Sequence, residues 1–262
     1  MIPTSFRTRS VVFAYLFGPP RLLSRQEGVA VYDAVCTALG VDDLTFRYGA
    51  TESGDVPATT AERSRGFSVQ IERKMGRGSY KVTIDNSSVN QPIRFLAEYL
   101  WPPSREHVSE DFDATAEAVF GALTGQWQRV LAETRIRGQL EAAGGSALAF
   151  LSEQALRIEP NRLALLEAAP QFVGISLETP PGDPTEADPL HQPKREISLQ
   201  VLREDKRSVY VELMSQWPQL AIVGQGEIEV DARRIRSFDH APSAYIRNSV
   251  DYLQERVLQL FA

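Results

Sequence analysis

At 262 residues, 43% hydrophobic and 24% charged, the chain has the composition of a globular protein with enough apolar surface for a substantial core. Its net charge of −6 weighs against a nucleic-acid backbone as the main partner, because phosphate neutralisation needs a concentrated basic face. A single cysteine, Cys36, excludes an intramolecular disulfide and a cysteine-based zinc site and suits a reducing compartment, so a soluble, cytoplasmic protein is expected.

Near the N-terminus, Arg7 and Arg9 precede the apolar run Val11 to Phe17, which ends at Gly18-Pro19-Pro20 without a small-x-small cleavage site. The run is too short and too rich in strand formers for a signal peptide, and it reads as the first strand. No apolar stretch approaches the roughly 20 residues that span a bilayer. Ser24 and Glu27 then form a capping box for a helix over 25–39, whose stripe of Val31, Val35, Ala38 and Leu39 ends at Gly40. Strand 44–49 follows, and 51–65 has the composition of an exposed loop.

Phe67 to Ile84 alternates apolar and polar residues on both sides of Gly76-Arg77-Gly78, the pattern of a hairpin of half-buried strands. The run 92–101 reads as a further strand, stopped by Pro102-Pro103. Beyond it the apolar spacing of Val119, Phe120, Leu123, Trp127, Val130 and Leu131 predicts one long helix from about Ala114 to 137, with Arg129, Arg135 and Arg137 suiting its C-terminal dipole. Gly144-Gly145-Ser146 marks a junction. After it come two shorter helices, 147–157 and 161–168, a strand over 172–178, an acidic and proline-rich loop, and a second hairpin, Ile197 to Leu213. A polar-edged strand over 225–235 and a helix over 243–261 close the chain, the latter striped by Ile246, Val250, Leu253, Val257 and Leu260.

The second hairpin resembles the first. Ungapped, Ser68 matches Ser198, Gln70 matches Gln200, Arg73 matches Arg203, Arg77 matches Arg207 and Tyr80 matches Tyr210. A one-residue slip after the turn matches the apolar faces instead, setting Tyr80 against Val209 at the expense of the tyrosine identity. Phe112-Asp113 and Phe238-Asp239 likewise each precede a helix-like run. The expected fold is therefore α+β with an internal duplication: two similar halves, 1–143 and 144–262, each a mainly antiparallel sheet covered by its long C-terminal helix and able to pack as one continuous domain.

Chemical motifs are sparse. His107, His191 and His240 lack metal-motif spacing, no G-x-S-x-G elbow occurs, and the glycine pairs at 76–78 and 224–226 sit in turns and not between a strand and a helix. Hence no catalytic, cofactor or metal residues are assigned. The strongest charge feature is Arg73, Lys74, Arg77 and Lys81 around the first hairpin tip, echoed by Arg203, Lys206 and Arg207 in the second, where Glu204 and Asp205 dilute it. Trp101 and Trp217, each followed by proline at a strand end, complete the candidate partner-binding set.

The function expected from these residues is a non-enzymatic interaction or adaptor protein that binds a protein partner, or itself, through sheet and loop surfaces. One rival is a binder of an apolar small molecule between sheet and helix. A hydrolase with a carboxylate and histidine site is the other.

Overall fold

In a computed structural model of the chain, residues 6–51, 66–86, 91–125, 127–142, 145–156, 172–182, 190, 193–218, 220–222, 228–230 and 240–261 are described. The first strand, β1 (Arg7–Gly18), is followed by α1 (Arg25–Leu39), β2 (Thr45–Thr51), β3 (Gly66–Met75), β4 (Gly78–Asn86), β5 (Ile93–Leu100), α2 (Arg105–Ala122) and β6 (Gln128–Glu141). Next come α3 (Ala147–Ala149, continued by a wider turn, Phe150–Ala155), β7 (Gly174–Thr179), β8 (Lys194–Val201) and β9 (Ser208–Pro218). A short ribbon of β10 (Leu220–Ile222) and β11 (Ile228–Val230) precedes α4 (Pro242–Tyr252), which continues through Leu253–Val257 and Leu258–Phe261.

The fold is α+β, with one large antiparallel sheet. Nine strands run in the order β2-β3-β4-β5-β1-β6-β9-β8-β7. β1 lies fifth of the nine, paired with β5 on one side and β6 on the other. Its composition explains the place: Val11, Phe13, Tyr15 and Phe17 are buried on the helix-covered side, while Ser10, Val12 and Ala14 are buried on the other among the longer side chains of β5 and β6. A strand buried on both faces belongs in the middle of a sheet.

Among the described residues, the helices pack on one face. Two hydrophobic clusters lie beneath them. The larger contains Phe13, Tyr15, Phe17, Phe95, Phe112 and Tyr245, and the smaller contains Ile136, Leu199, Val211, Leu213 and Leu253. α4 touches both, through Tyr245 and Ile246 at its start and Leu253 and Val257 beyond its end. Its N-terminus has no cap of its own, and Asp113 of α2 supplies one, accepting the Ser243 N–H at 2.8 Å.

The long helix expected over 114–137 is two elements. α2 begins earlier, at the Ser104 cap, and stops at Ala122; Gly125 (φ 113°) turns the chain, and 128–141 is the strand β6. The apolar spacing read as one stripe straddles this turn. On β6, Ala132, Thr134, Ile136, Gly138 and Leu140 are buried, alternating with half-buried Leu131, Glu133, Arg135, Arg137 and Gln139. Small residues at three of the buried positions hide the alternation. At Gly138 the reason is steric, since a Cβ there would strike the Phe6 ring. Arg135 and Arg137 therefore answer no helix dipole. They lie on the face away from the helices, where Glu212 reaches both, 3.5 Å from Arg135 Nε and 3.4 Å from Arg137 Nε, and Glu133 reaches Arg135 at 3.2 Å.

Other expectations shift too. Phe112 and Asp113 sit inside α2 instead of preceding a helix. Residues 228–230 form a strand, but it pairs with β10 in a separate ribbon and not at the edge of the large sheet. The expected helix 161–168, the loop over 52–65 and Phe238-Asp239 lie outside the described residues. The capping box at Ser24 and Glu27, the left-handed Gly40 C-cap, both hairpins and the strand β5 are present. Tyr80 faces the helices with Val82 and Ile84, as Val209 does with Val211 and Leu213, whereas Tyr210 points to the other face and donates to Glu212 at 2.6 Å.

Candidate functional site

β-strand register brings several of the predicted residues to one end of the sheet. There β1 begins, β5 and β6 finish, and the β3–β4 and β8–β9 hairpins turn. The first hairpin tip abuts the end of β5: a Cβ on Gly78 would lie 3.0 Å from the Trp101 carbonyl oxygen and 3.4 Å from Trp101 Cβ. Only glycine lets the tip come so close. Lys74 and Arg77 are exposed beside it.

Trp101 is the centre of this end. The residue is 43% exposed, next to Leu100 at 42%, and its backbone has φ 52°, the left-handed region that a bulky side chain enters at a cost. Arg9 holds it there. The register of β1 against β6 shifts between Thr8 and Ser10, so Arg9 is the extra residue of a β-bulge, the device by which a strand re-aims one side chain. From the bulge, the Arg9 carbonyl accepts the Trp101 N–H at 2.7 Å and the guanidinium lies 5.3 Å from the indole centroid. On its other side Arg9 Nη2 meets Glu204, in the second hairpin turn, at 3.3 Å. One arginine thus links the two hairpin ends.

The rest of the predicted set is dispersed. Arg73 points to the helix side and pairs with Asp43 at 3.1 Å. Lys81 sits farther along β4, opposite Glu72 on β3 and Glu98 on β5. Trp217 is only 4% exposed, at the far end of the sheet under α4, with Tyr245 against its ring and its Nε1 donating to the Leu190 carbonyl at 3.3 Å. Arg9 and Leu100 were not in the predicted set. The bulge that aims Arg9 has no local signature, although Leu100 directly before Trp101-Pro102 was an available signal.

Other grooves lie on the helical side. One of about 610 Å³ separates α1 and α2 along Ala34, Thr37, Ala114 and Ala118, and another of about 540 Å³ lies between α2 and α4 along Glu106, Glu110, Asp113 and Arg247. His107 is exposed in the first turn of α2, with Nδ1 3.2 Å from Ser104 Oγ, and His240 accepts through its carbonyl from Tyr15 OH at 3.1 Å. Among the described residues no cluster of three or more His, Cys, Asp or Glu could hold a metal ion, and no helix is long and apolar enough to cross a membrane.

The groups at the sheet end are an apolar plane, a neighbouring leucine and exposed cations. They can stack, exclude water and donate charged hydrogen bonds, which is the chemistry of holding a partner. No family model matches the chain, and a comparison with curated proteins finds no similar sequence.

Proposed function

We propose that this chain is an interaction protein that docks a macromolecular partner on the sheet end marked by Trp101. One observation carries the reading: an exposed indole is held in an unfavourable backbone conformation and clamped by Arg9 instead of being folded into the core. Exposed tryptophan and arginine are the residues that dominate binding energy at protein interfaces. The space between sheet and helices is filled by Phe13, Tyr15, Phe17 and Phe95, all fully buried, which favours a surface role over an apolar ligand held inside. A cytoplasmic site of action accords with the free Cys36.

In the same reading, 1–143 and 144–262 are copies of one ancestral unit. In support, the outer three strands follow the same order from each edge, β2-β3-β4 and β7-β8-β9, and the hairpins with matching sequence hold equivalent places.

A photo-crosslinking side chain at Leu100 tests the docking site, with one at Val29 on α1, equally exposed, as control. A single adduct formed from position 100, absent from position 29 and lost in Trp101→Ala, is the expected result. Equal adducts from both positions would place the contact elsewhere.

A further inference from the structure

Resting on that reading, we infer that the segment docked at the Trp101 end is an acidic, extended peptide with one apolar side chain seated against the indole. The chain as a whole is negative, yet this end is not. Lys74 and Arg77 on the first hairpin, and Lys206 and Arg207 on the second, are exposed and make no ion pair among the described residues. Three of the acids around them are engaged, Asp43 with Arg73, Glu204 with Arg9, and Asp205 with Ser208 Oγ and the Arg207 N–H within its own turn, while Glu141, at the end of β6 opposite Ser208, is exposed and leaves the end with a net excess of cations.

The spacing defines the ligand. Lys74 is on β3 and Arg77 in the β3–β4 turn, while Lys206 and Arg207 lie in the β8–β9 turn; the two hairpins are centred about five inter-strand steps apart in the sheet order, which puts the cationic pairs about 24 Å apart at roughly 4.8 Å per step. An extended segment of about seven residues covers that distance at roughly 3.3 Å per residue. Trp101, at the end of β5, lies one step from β4 and three from β9, so it meets such a segment nearer the first tip, with Leu100 beside it to complete an apolar seat. Carboxylates toward both ends of the peptide then face Lys74 and Arg77 on one side and Lys206 and Arg207 on the other. A nucleic-acid strand fits less well. Its charge repeats at every unit and calls for a row of stacking aromatics along a basic track; Arg7 and Arg9 of β1 do lie between the tips, but among the described residues the exposed aromatics at this end are two, Trp101 and Phe172, the second already covered by Arg203.

Selection of a random twelve-residue peptide display library on the full chain, followed by affinity measurement of the enriched peptides, tests this. The expected pool is rich in Asp and Glu, with one Leu, Phe or Trp placed nearer one end of the acidic stretch. Binding should weaken at least about tenfold in Arg77→Glu with Arg207→Glu and in Trp101→Ala, and several-fold when salt rises from low to about 0.5 M. Circular dichroism confirms that the variants are folded. A pool without acidic bias, no enrichment at all, affinities unchanged by the charge reversals, or tighter binding of an oligothymidylate than of any peptide would each overturn the inference. Should Trp101→Ala abolish the crosslinked adduct while the charge reversals do nothing, the docking site stands and only the acidic partner falls.

Discussion

Arg9 holds Trp101 twice, once through its backbone carbonyl at 2.7 Å and once through its guanidinium, 5.3 Å from the centre of the indole. The first contact extends the β1–β5 ladder by one residue. The second covers part of an aromatic face that its left-handed backbone turns outward.

Two substitutions separate side chain from backbone at this position. Trp101→Ala and Trp101→Gly both lose the indole, but only glycine takes φ 52° without strain. The glycine variant is expected to be more stable than the alanine variant by about 1 kcal/mol, measured by urea unfolding. Equal midpoints would mean that the strand end relaxes once the ring is gone.

Glu27 is a strongly perturbed carboxylate of the helical layer. Arg21 Nη2 at 2.5 Å, the Ser24 N–H at 3.0 Å and Thr124 Oγ1 at 3.0 Å hold it at a pKa of about 2, the arginine contributing most. Because the folded value lies below the unfolded one, the stabilisation is complete above pH about 4.5 and is lost as pH falls toward 2. Glu27→Gln should cost about 1–2 kcal/mol at pH 7, capping box included, and the difference from wild type should vanish near pH 2. A pH-independent difference would assign the loss to packing alone.

Under α4, Thr134 Oγ1 and Ser249 Oγ lie 2.5 Å apart and both are fully buried. Thr134→Val leaves the helix serine hydroxyl without its partner on the sheet and should destabilise by about 1–2 kcal/mol. The double variant Thr134→Val, Ser249→Ala removes both polar groups and should recover much of that loss. A double-mutant cycle by thermal or denaturant unfolding measures the coupling, and strict additivity would show the pair to be independent.

Tyr15, Tyr80, Tyr99 and Tyr210 are all held above the usual phenol range, chiefly because burial disfavours the phenolate. Their unfolded counterparts ionise near pH 10. The folded state keeps these protons longer, so stability is full below about pH 10 and declines as pH rises past it. Phenolate absorbance followed through an alkaline titration should lag the unfolded chain and rise together with loss of circular dichroism. Four tyrosines that titrated freely in the folded protein would contradict their burial.

Local chemistry was legible where it acts over a few residues. Ser24 and Glu27 announce a helix start, Gly40 its end, and Gly76 with Gly78 the hairpin, because caps and turns are decided by neighbours in the chain. β6 was not legible. Ala132, Thr134 and Gly138 are small because other parts of the molecule press on them, and a strand so composed loses the apolar alternation by which strands are recognised. Of the candidate site, Trp101, Lys74 and Arg77 were identified from their residue types and strand-end positions. Trp217 shares the same Trp-Pro context but serves the core.

By itself, the sequence determined the class of the fold, most of the strands and the presence of two basic hairpin tips, since periodicity and turn residues encode these locally. Tertiary structure alone decided that β1 and β6 join everything into one sheet, that both tips point to the same end, and that a bulge at Arg9 ties them around an exposed indole. Those outcomes depend on which strands pair and in what register. That choice is made by burial and steric fit between segments far apart in the chain, and no local pattern records it.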